Sequence, residues 1–122
     1  MDRKSTEIKR GSIVWIEVAD PRGNIKKRPV VVVTSTDEIV IDQEIVGVAV
    51  TTSFRDPLDQ GCVKLPSWPF GHPATGLRRE SVAVCDWRVR FRPSDVTAVE
   101  GYVPARTLLR IVEKINELDQ QV

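Results

Sequence analysis

Pro29-Val30-Val31-Val32-Val33-Thr34-Ser35 and, shortly downstream, Ile45-Val46-Gly47-Val48-Ala49-Val50-Thr51-Thr52 are the two stretches that decide the fold. Both are β-branched runs without polar alternation, which is the pattern of strands covered on both sides, as in a closed barrel or the middle of a sheet. Gly47 inside the second run marks a bulge or a close backbone approach. Polar residues Thr36 to Gln43 separate the two. Upstream, Ser12 to Val18 (SIVWIEV) supplies a third strand of the same character, ending at the turn cluster Asp20-Pro21-Arg22-Gly23-Asn24. There Pro21 presets φ and Gly23 permits a positive one. A basic loop carrying Lys26, Lys27 and Arg28 then leads to Pro29, which opens the valine run.

Downstream, residues Ser53 to Gly76 hold Pro57, Gly61, Pro66, Pro69, Gly71, Pro73 and Gly76. That is too much punctuation for long elements, so a partly ordered loop is expected, with Cys62 to Leu65 as a short edge strand. Ser81 to Arg92 (SVAVCDWRVRFR) alternates with period two. Ala83, Cys85, Trp87, Val89 and Phe91 form its apolar side, and the opposite side passes from Val82 and Val84 to Asp86, Arg88, Arg90 and Arg92. Unless the strand bends, this aligns a row of arginines beside Asp86. Pro93-Ser94-Asp95 reads as a turn or helix start, and Pro104 as the first residue of a final helix to about Asp119. Leu108, Leu109, Ile111, Val112, Ile115 and Leu118 give that helix an apolar stripe, with Arg110, Glu113, Lys114 and Glu117 facing water. Five or so short strands and one packed helix describe a mainly β fold, a small SH3-like barrel with a C-terminal helix, in a single domain over residues 1–122.

An apolar fraction of 41% and a charged fraction of 29% are ordinary for a globular chain and exclude a disordered or fibrous one. No stretch approaches the roughly 20 apolar residues that span a bilayer, and MDRKSTEIKR lacks the core of a signal peptide, so a cytoplasmic protein without membrane contact is expected. Cys62 and Cys85 then read as reduced thiols. With His72 the single histidine, no zinc-ligand spacing is present, and neither a metal nor another cofactor is expected. The net charge of +1 does not announce a nucleic-acid binder. Local patterning does more: Arg22, Lys26, Lys27 and Arg28 cluster without an acid among them, while Asp37, Glu38, Asp42 and Glu44 gather elsewhere.

Four segments, in order, resemble the PemK/MazF family of toxin ribonucleases: Lys9-Arg10-Gly11-Ser12-Ile13-Val14-Trp15, Lys27-Arg28-Pro29-Val30-Val31-Val32-Val33, Ile45-Val46-Gly47-Val48-Ala49-Val50-Thr51 and Ser81-Val82-Ala83-Val84-Cys85-Asp86. Gly101 to Ile115 is similar to the family's closing segment and helix. The resemblance implies a homodimer with an RNA channel along its interface and a cognate antitoxin whose tail blocks that channel. It implies an endoribonuclease toxin of a type II toxin-antitoxin system, acting on single-stranded RNA, messenger RNA foremost, without a metal. By matching positions, Arg28 corresponds to the family's catalytic arginine, Thr51 to its catalytic threonine and Asp86 to an active-site aspartate. Arg22, Lys26, Lys27, Ser53, Arg55, Arg79 and Arg88 are the expected RNA-binding residues. The chain departs from some members in its first loop, which holds neither histidine nor glutamate, and at Val84, where others carry arginine.

RNA is cut when its own 2′-hydroxyl attacks the adjacent phosphate, leaving a 2′,3′-cyclic phosphate and a 5′-hydroxyl. Catalysis asks for a group to take the 2′ proton, donors for the phosphorane charge and an acid for the leaving oxygen. Arg28 suits the phosphorane, since its planar fork matches phosphate oxygens and stays charged. Thr51 offers an uncharged hydroxyl, and Asp86 either orients Arg28 or accepts a proton. His72 has a suitable intrinsic pKa but lies between Gly71 and Pro73, and no residue is assigned as the base. Trp68 and Phe70, in the Pro/Gly-rich loop, are better placed to stack bases than Trp87 and Phe91, for which core packing is expected. Two other readings stay open: an inactive barrel that binds a protein partner, and a toxin of the related fold that poisons a topoisomerase.

Overall fold

The computed structural model describes residues 8–120, so most of the charged N-terminal stretch lies outside the described residues. Strand β1 (Ser12–Ala19) and strand β2 (Ile25–Val32) form an antiparallel hairpin in register from Ile13 opposite Val31 to Ala19 opposite Ile25. The turn between them is closed by Asp20, whose carboxylate accepts from the amides of Arg22 and Asn24, each at 2.9 Å, while Gly23 adopts a φ of 87°. These amides, that of Asn24 first, hold the Asp20 carboxyl below its ordinary value. Because the turn is this tight, Lys26, Lys27 and Arg28 are strand residues rather than the expected basic loop. Their charged side chains ride on a paired backbone.

Strand β3 (Ile45–Thr51) follows a short 3-10 turn at Thr36–Glu38, and Ser81–Phe91 forms the long strand β5, flanked by the short β4 (Cys62–Leu65). A sixth strand, β6 (Ala98–Tyr102), pairs with β1 and was not legible as a strand in the sequence. The sheet order is β4-β5-β3-β2-β1-β6, antiparallel throughout. Among the described residues no ladder joins β4 to β6, so the sheet curls into a half-barrel rather than a closed one. Its two faces carry separate cores: Ile13, Val31, Val48, Val50 and Ala83 on one, and Val14, Ile16, Val30, Val32, Ile45 and Phe91 on the other. The valine run has no polar alternation because both faces of β2 are buried there.

Helix α1 (Ala105–Asp119) begins one residue after Pro104 and packs Ile111, fully buried, with Leu108, Ile115 and Leu118 onto the first core. Leu109 departs from the expected stripe and is 57% exposed. Asp119 at the helix end bonds Arg88 of β5 at 2.8 Å. The strand does bend, just before its arginines: Arg88 and Arg90 keep their places in the ladder, but Asp86 does not. Val48 opposes Arg88 but Ala49 opposes Val84, so Cys85, Asp86 and Trp87 bulge out of the β3 ladder. The bulge is pinned by Arg88 Nε donating to the Cys85 carbonyl at 3.2 Å and the Cys85 amide donating to the Gly61 carbonyl at 2.8 Å.

Gly47 is the close approach its sequence position suggested: a Cβ there would stand 2.9 Å from the Val31 carbonyl oxygen and collide with Val30. Overpacking of this kind costs about 1–3 kcal/mol. Gly47→Ala is expected to lower the unfolding free energy by that amount, seen in equilibrium urea unfolding as a lower midpoint with little change in slope.

Candidate functional site

The site begins with Pro29. A proline lacks the N–H that a sheet interior needs, and the β2–β3 ladder ends beside it, running only from Val30 opposite Ala49 to Val32 opposite Gly47. Beyond that point β2 pairs with β1 and β3 with β5, but not with each other. The strands part, and a cleft of about 360 Å³ opens between them. Lys26, Lys27 and Arg28 line it from β2, Thr51 and Thr52 from β3 and its continuation, and Arg78 and Arg79 from the segment before β5. Glu100 of β6 is its one carboxylate among the described residues.

Arg28 is half-buried, and its guanidinium carbon lies 4.9 Å from the centroid of the Trp87 ring. That geometry is a cation–π contact, and it holds a charged fork against an aromatic shelf. Arg28 Nε is buried without a protein partner. A buried donor left unpaired costs about 1–3 kcal/mol, which an anion bound there would recover. Thr51 Oγ accepts from the Ser53 amide at 3.0 Å, which fixes the hydroxyl at the strand end. Thr51 also lines a second cavity of about 420 Å³, together with Ser53, Phe54, Arg55, Asp59 and Trp87. The two cavities therefore meet at Thr51, one rich in cations and the other holding two aromatic rings.

Of the residues singled out from sequence, Arg28, Thr51, Lys26, Lys27 and Arg79 line the first cleft, and Thr51, Ser53 and Arg55 the second. Arg22 sits at the hairpin tip, and Arg88 is engaged with Asp119. Asp86 lines neither cavity; its carboxylate oxygen lies 3.7 Å from the position a Gly61 side chain would take, on the bulge next to Trp87. Trp87 is not simply a core residue: it packs on the second core and carries Arg28 on its ring. His72 organises its own loop, its Nδ1 accepting from the amides of Ala74 at 3.0 Å and Thr75 at 3.3 Å, with Trp68 edge-on at 5.1 Å. Trp68 is 53% exposed and Phe70 94% exposed on that loop, outside both cavities. Sequence reading missed Trp15, Arg78, Phe54, Asp59 and Glu100, which reach the cavities only through strand pairing or loop packing.

Among the described residues no group of three or more histidine, cysteine or carboxylate side chains is arranged to hold a metal ion, and no helix is long and apolar enough to cross a membrane. Both cysteines are free thiols. Burial raises both, Cys85 to about 11; for Cys62 the nearby Asp59 and Asp86 charges add to it.

The fold is a six-stranded half-barrel with one C-terminal helix, and its parted central strands place Arg28, on the ring of Trp87, in a cleft shared with the strand-end Thr51. The chain matches the profile of the family described as "PemK-like, MazF-like toxin of type II toxin-antitoxin system" over residues 9–118, and it belongs to that family. Among solved structures it is similar to the MazE–MazF complex of Deinococcus radiodurans (17% identity, TM-score 0.71, covering 94% of this chain and 97% of that one). It is also similar to the Mycobacterium tuberculosis toxin MazF-mt6 (22% identity, TM-score 0.65, 88% and 96% covered). A third similar structure is described as an endoribonuclease in complex with its cognate antitoxin from mycobacterial species (15% identity, TM-score 0.65, 90% and 92% covered). No curated sequence matches the chain.

Cys85 is fully buried, and that burial pushes its thiol up to about 11, so little thiolate is present or accessible at pH 8. Ellman titration of the native protein at that pH is expected to leave Cys85 unreacted over the time in which the denatured chain reacts at both thiols.

Proposed function

We propose that this protein is a metal-independent endoribonuclease, the toxin of a type II toxin-antitoxin pair, cutting single-stranded RNA, with messenger RNA the expected target. The observation that carries the reading is Arg28, a guanidinium with a buried unpartnered Nε, held on Trp87 beside Thr51 where two cavities meet. In the reaction the 2′-oxygen of a nucleotide forms a bond to the neighbouring phosphorus. The bond from phosphorus to the 5′-oxygen breaks, the 2′-hydroxyl gives up its proton to solvent and the leaving 5′-oxygen takes one up, giving a 2′,3′-cyclic phosphate and a 5′-hydroxyl. Arg28 neutralises the charge that builds on the equatorial oxygens, and Thr51 donates to a nonbridging one. Asp86 is a positioning residue in this scheme: it adjoins Trp87 on the bulge that presents the shelf. Lys26, Lys27 and Arg79 hold flanking phosphates, and Ser53 and Arg55 continue the track past Thr51.

Two further elements belong to the proposal. The similar MazE–MazF complex and the mycobacterial endoribonuclease bound to its cognate antitoxin support a cognate antitoxin as partner here. Family membership supports a homodimer working in the cytoplasm.

The test is incubation of a long unstructured RNA with the protein in EDTA, with Arg28→Ala in parallel. Discrete cuts ending in cyclic phosphate and 5′-hydroxyl are expected from the wild type, with the variant slower by about a hundredfold or more, the usual effect of losing one donor to a developing oxyanion. Intact RNA with wild-type protein would favour the inactive, partner-binding barrel; equal cutting by the variant would remove Arg28 from the mechanism.

A further inference from the structure

Glu100 has no role in the scheme above, and its placement is unusual. In a cleft lined by Lys26, Lys27, Arg28, Arg78 and Arg79, it is the one carboxylate among the described residues. A carboxylate there weakens the attraction for a polyanion. It is nonetheless built into position. Its Oε1 accepts from the indole N–H of Trp15 at 2.7 Å, and a Cβ on Gly76 would come within 2.6 Å of its Oε2, so glycine at that position makes room for it. Gly76 itself lines the cleft with a φ of 75°.

Two roles fit a fixed carboxylate beside bound RNA: taking the 2′ proton, or accepting a hydrogen bond from a base. Strand register separates them. Trp15 opposes Pro29 and Ile16 opposes Arg28, so Arg28 projects from the face of the hairpin opposite Trp15. The guanidinium then lies over Trp87, next to the second cavity, while Glu100 is held on the Trp15 side of the first. Both side chains line the first cleft, but on separate aromatic supports, so in this reading a phosphate seated on Arg28 leaves Glu100 to a neighbouring nucleotide. We propose, on the basis of the ribonuclease reading, that Glu100 is a specificity-determining residue. It accepts a hydrogen bond from the exocyclic amino group of a base flanking the cut, selecting cytosine, adenine or guanine over uracil, which has no amino group and whose single N3–H donor is flanked by two carbonyl oxygens that repel a carboxylate. Carboxylates read exposed amino groups in this way, and single-stranded RNA leaves that edge open.

The experiment digests a randomised RNA pool in EDTA with wild-type protein, Glu100→Gln and Trp15→Phe, and sequences the cut sites. Glutamine keeps the side-chain shape and an acceptor for Trp15 while replacing charge with a donor; Trp15→Phe removes the hydrogen bond that holds the carboxylate. Wild-type sites are expected to under-represent uracil about tenfold at one position near the cut. Both variants should lose that bias at that position alone, with melting temperatures recorded alongside. Unchanged preference in Glu100→Gln would overturn the proposal. So would uniform slowing at every sequence with loss of the acidic limb of the pH–rate profile, which would make Glu100 the proton acceptor. If the wild type cuts nothing, the ribonuclease reading fails separately. The same comparison by selection of binders from a 2′-fluoro RNA pool then decides whether Glu100 reads a base.

Discussion

Pro29 is the constraint on which this site depends. A sheet holds together by pairing each strand with both neighbours, and a residue without an N–H interrupts that ladder. The interruption falls in the middle strands of the half-barrel, where the β2–β3 ladder stops beside Pro29 and the two strands go separate ways with β1 and β5. The valines after the proline build both cores, and the cations before it face a cleft. One strand thereby builds the cores with one half and lines the cleft with the other.

Arg28 is the residue most affected by that division. It is the last charged side chain before the buried run, close enough to the core to lose part of its hydration and near enough to the opening to meet a ligand. Trp87 supplies the contact that makes this tenable, since an aromatic face attracts a cation without consuming its N–H donors. The bulge on β5 supplies Trp87. Were β5 regular, residues 85–87 would be spent in the ladder to β3. Proline, bulge and shelf are therefore coupled features of one site, each a local departure from ideal sheet geometry.

Much of the architecture was legible in the sequence because burial on both faces writes an unambiguous pattern. The valine run of β2, the Ile45–Thr51 strand and the amphipathic α1 were all readable from side-chain type alone. The first half of β2 was not, because Lys26, Lys27 and Arg28 carry the composition of a loop; the Asp20 turn and the pairing with β1 override that preference. β6 escaped notice for a similar reason: Ala98–Tyr102 is short, mostly exposed and interrupted by a glycine, and its strand character comes from β1. Within the site, Arg28 and Thr51 stand in segments that resemble the family, whereas Glu100 and Trp87 depend on contacts between elements distant in sequence. The alternation of β5 set Asp86 beside the arginines only if the strand stayed straight, and the bulge at residues 85–87 is a three-dimensional event that period-two counting cannot register.

The central claim is that Trp87 serves the reaction by holding Arg28. A double-mutant cycle on single-turnover RNA cleavage, using Arg28→Lys, Trp87→Leu and the pair, measures that coupling directly. The account predicts strong non-additivity, with Trp87→Leu slowing the wild type well beyond its effect in the Arg28→Lys background. Independent, additive losses would contradict it and leave the two side chains as unconnected contributors.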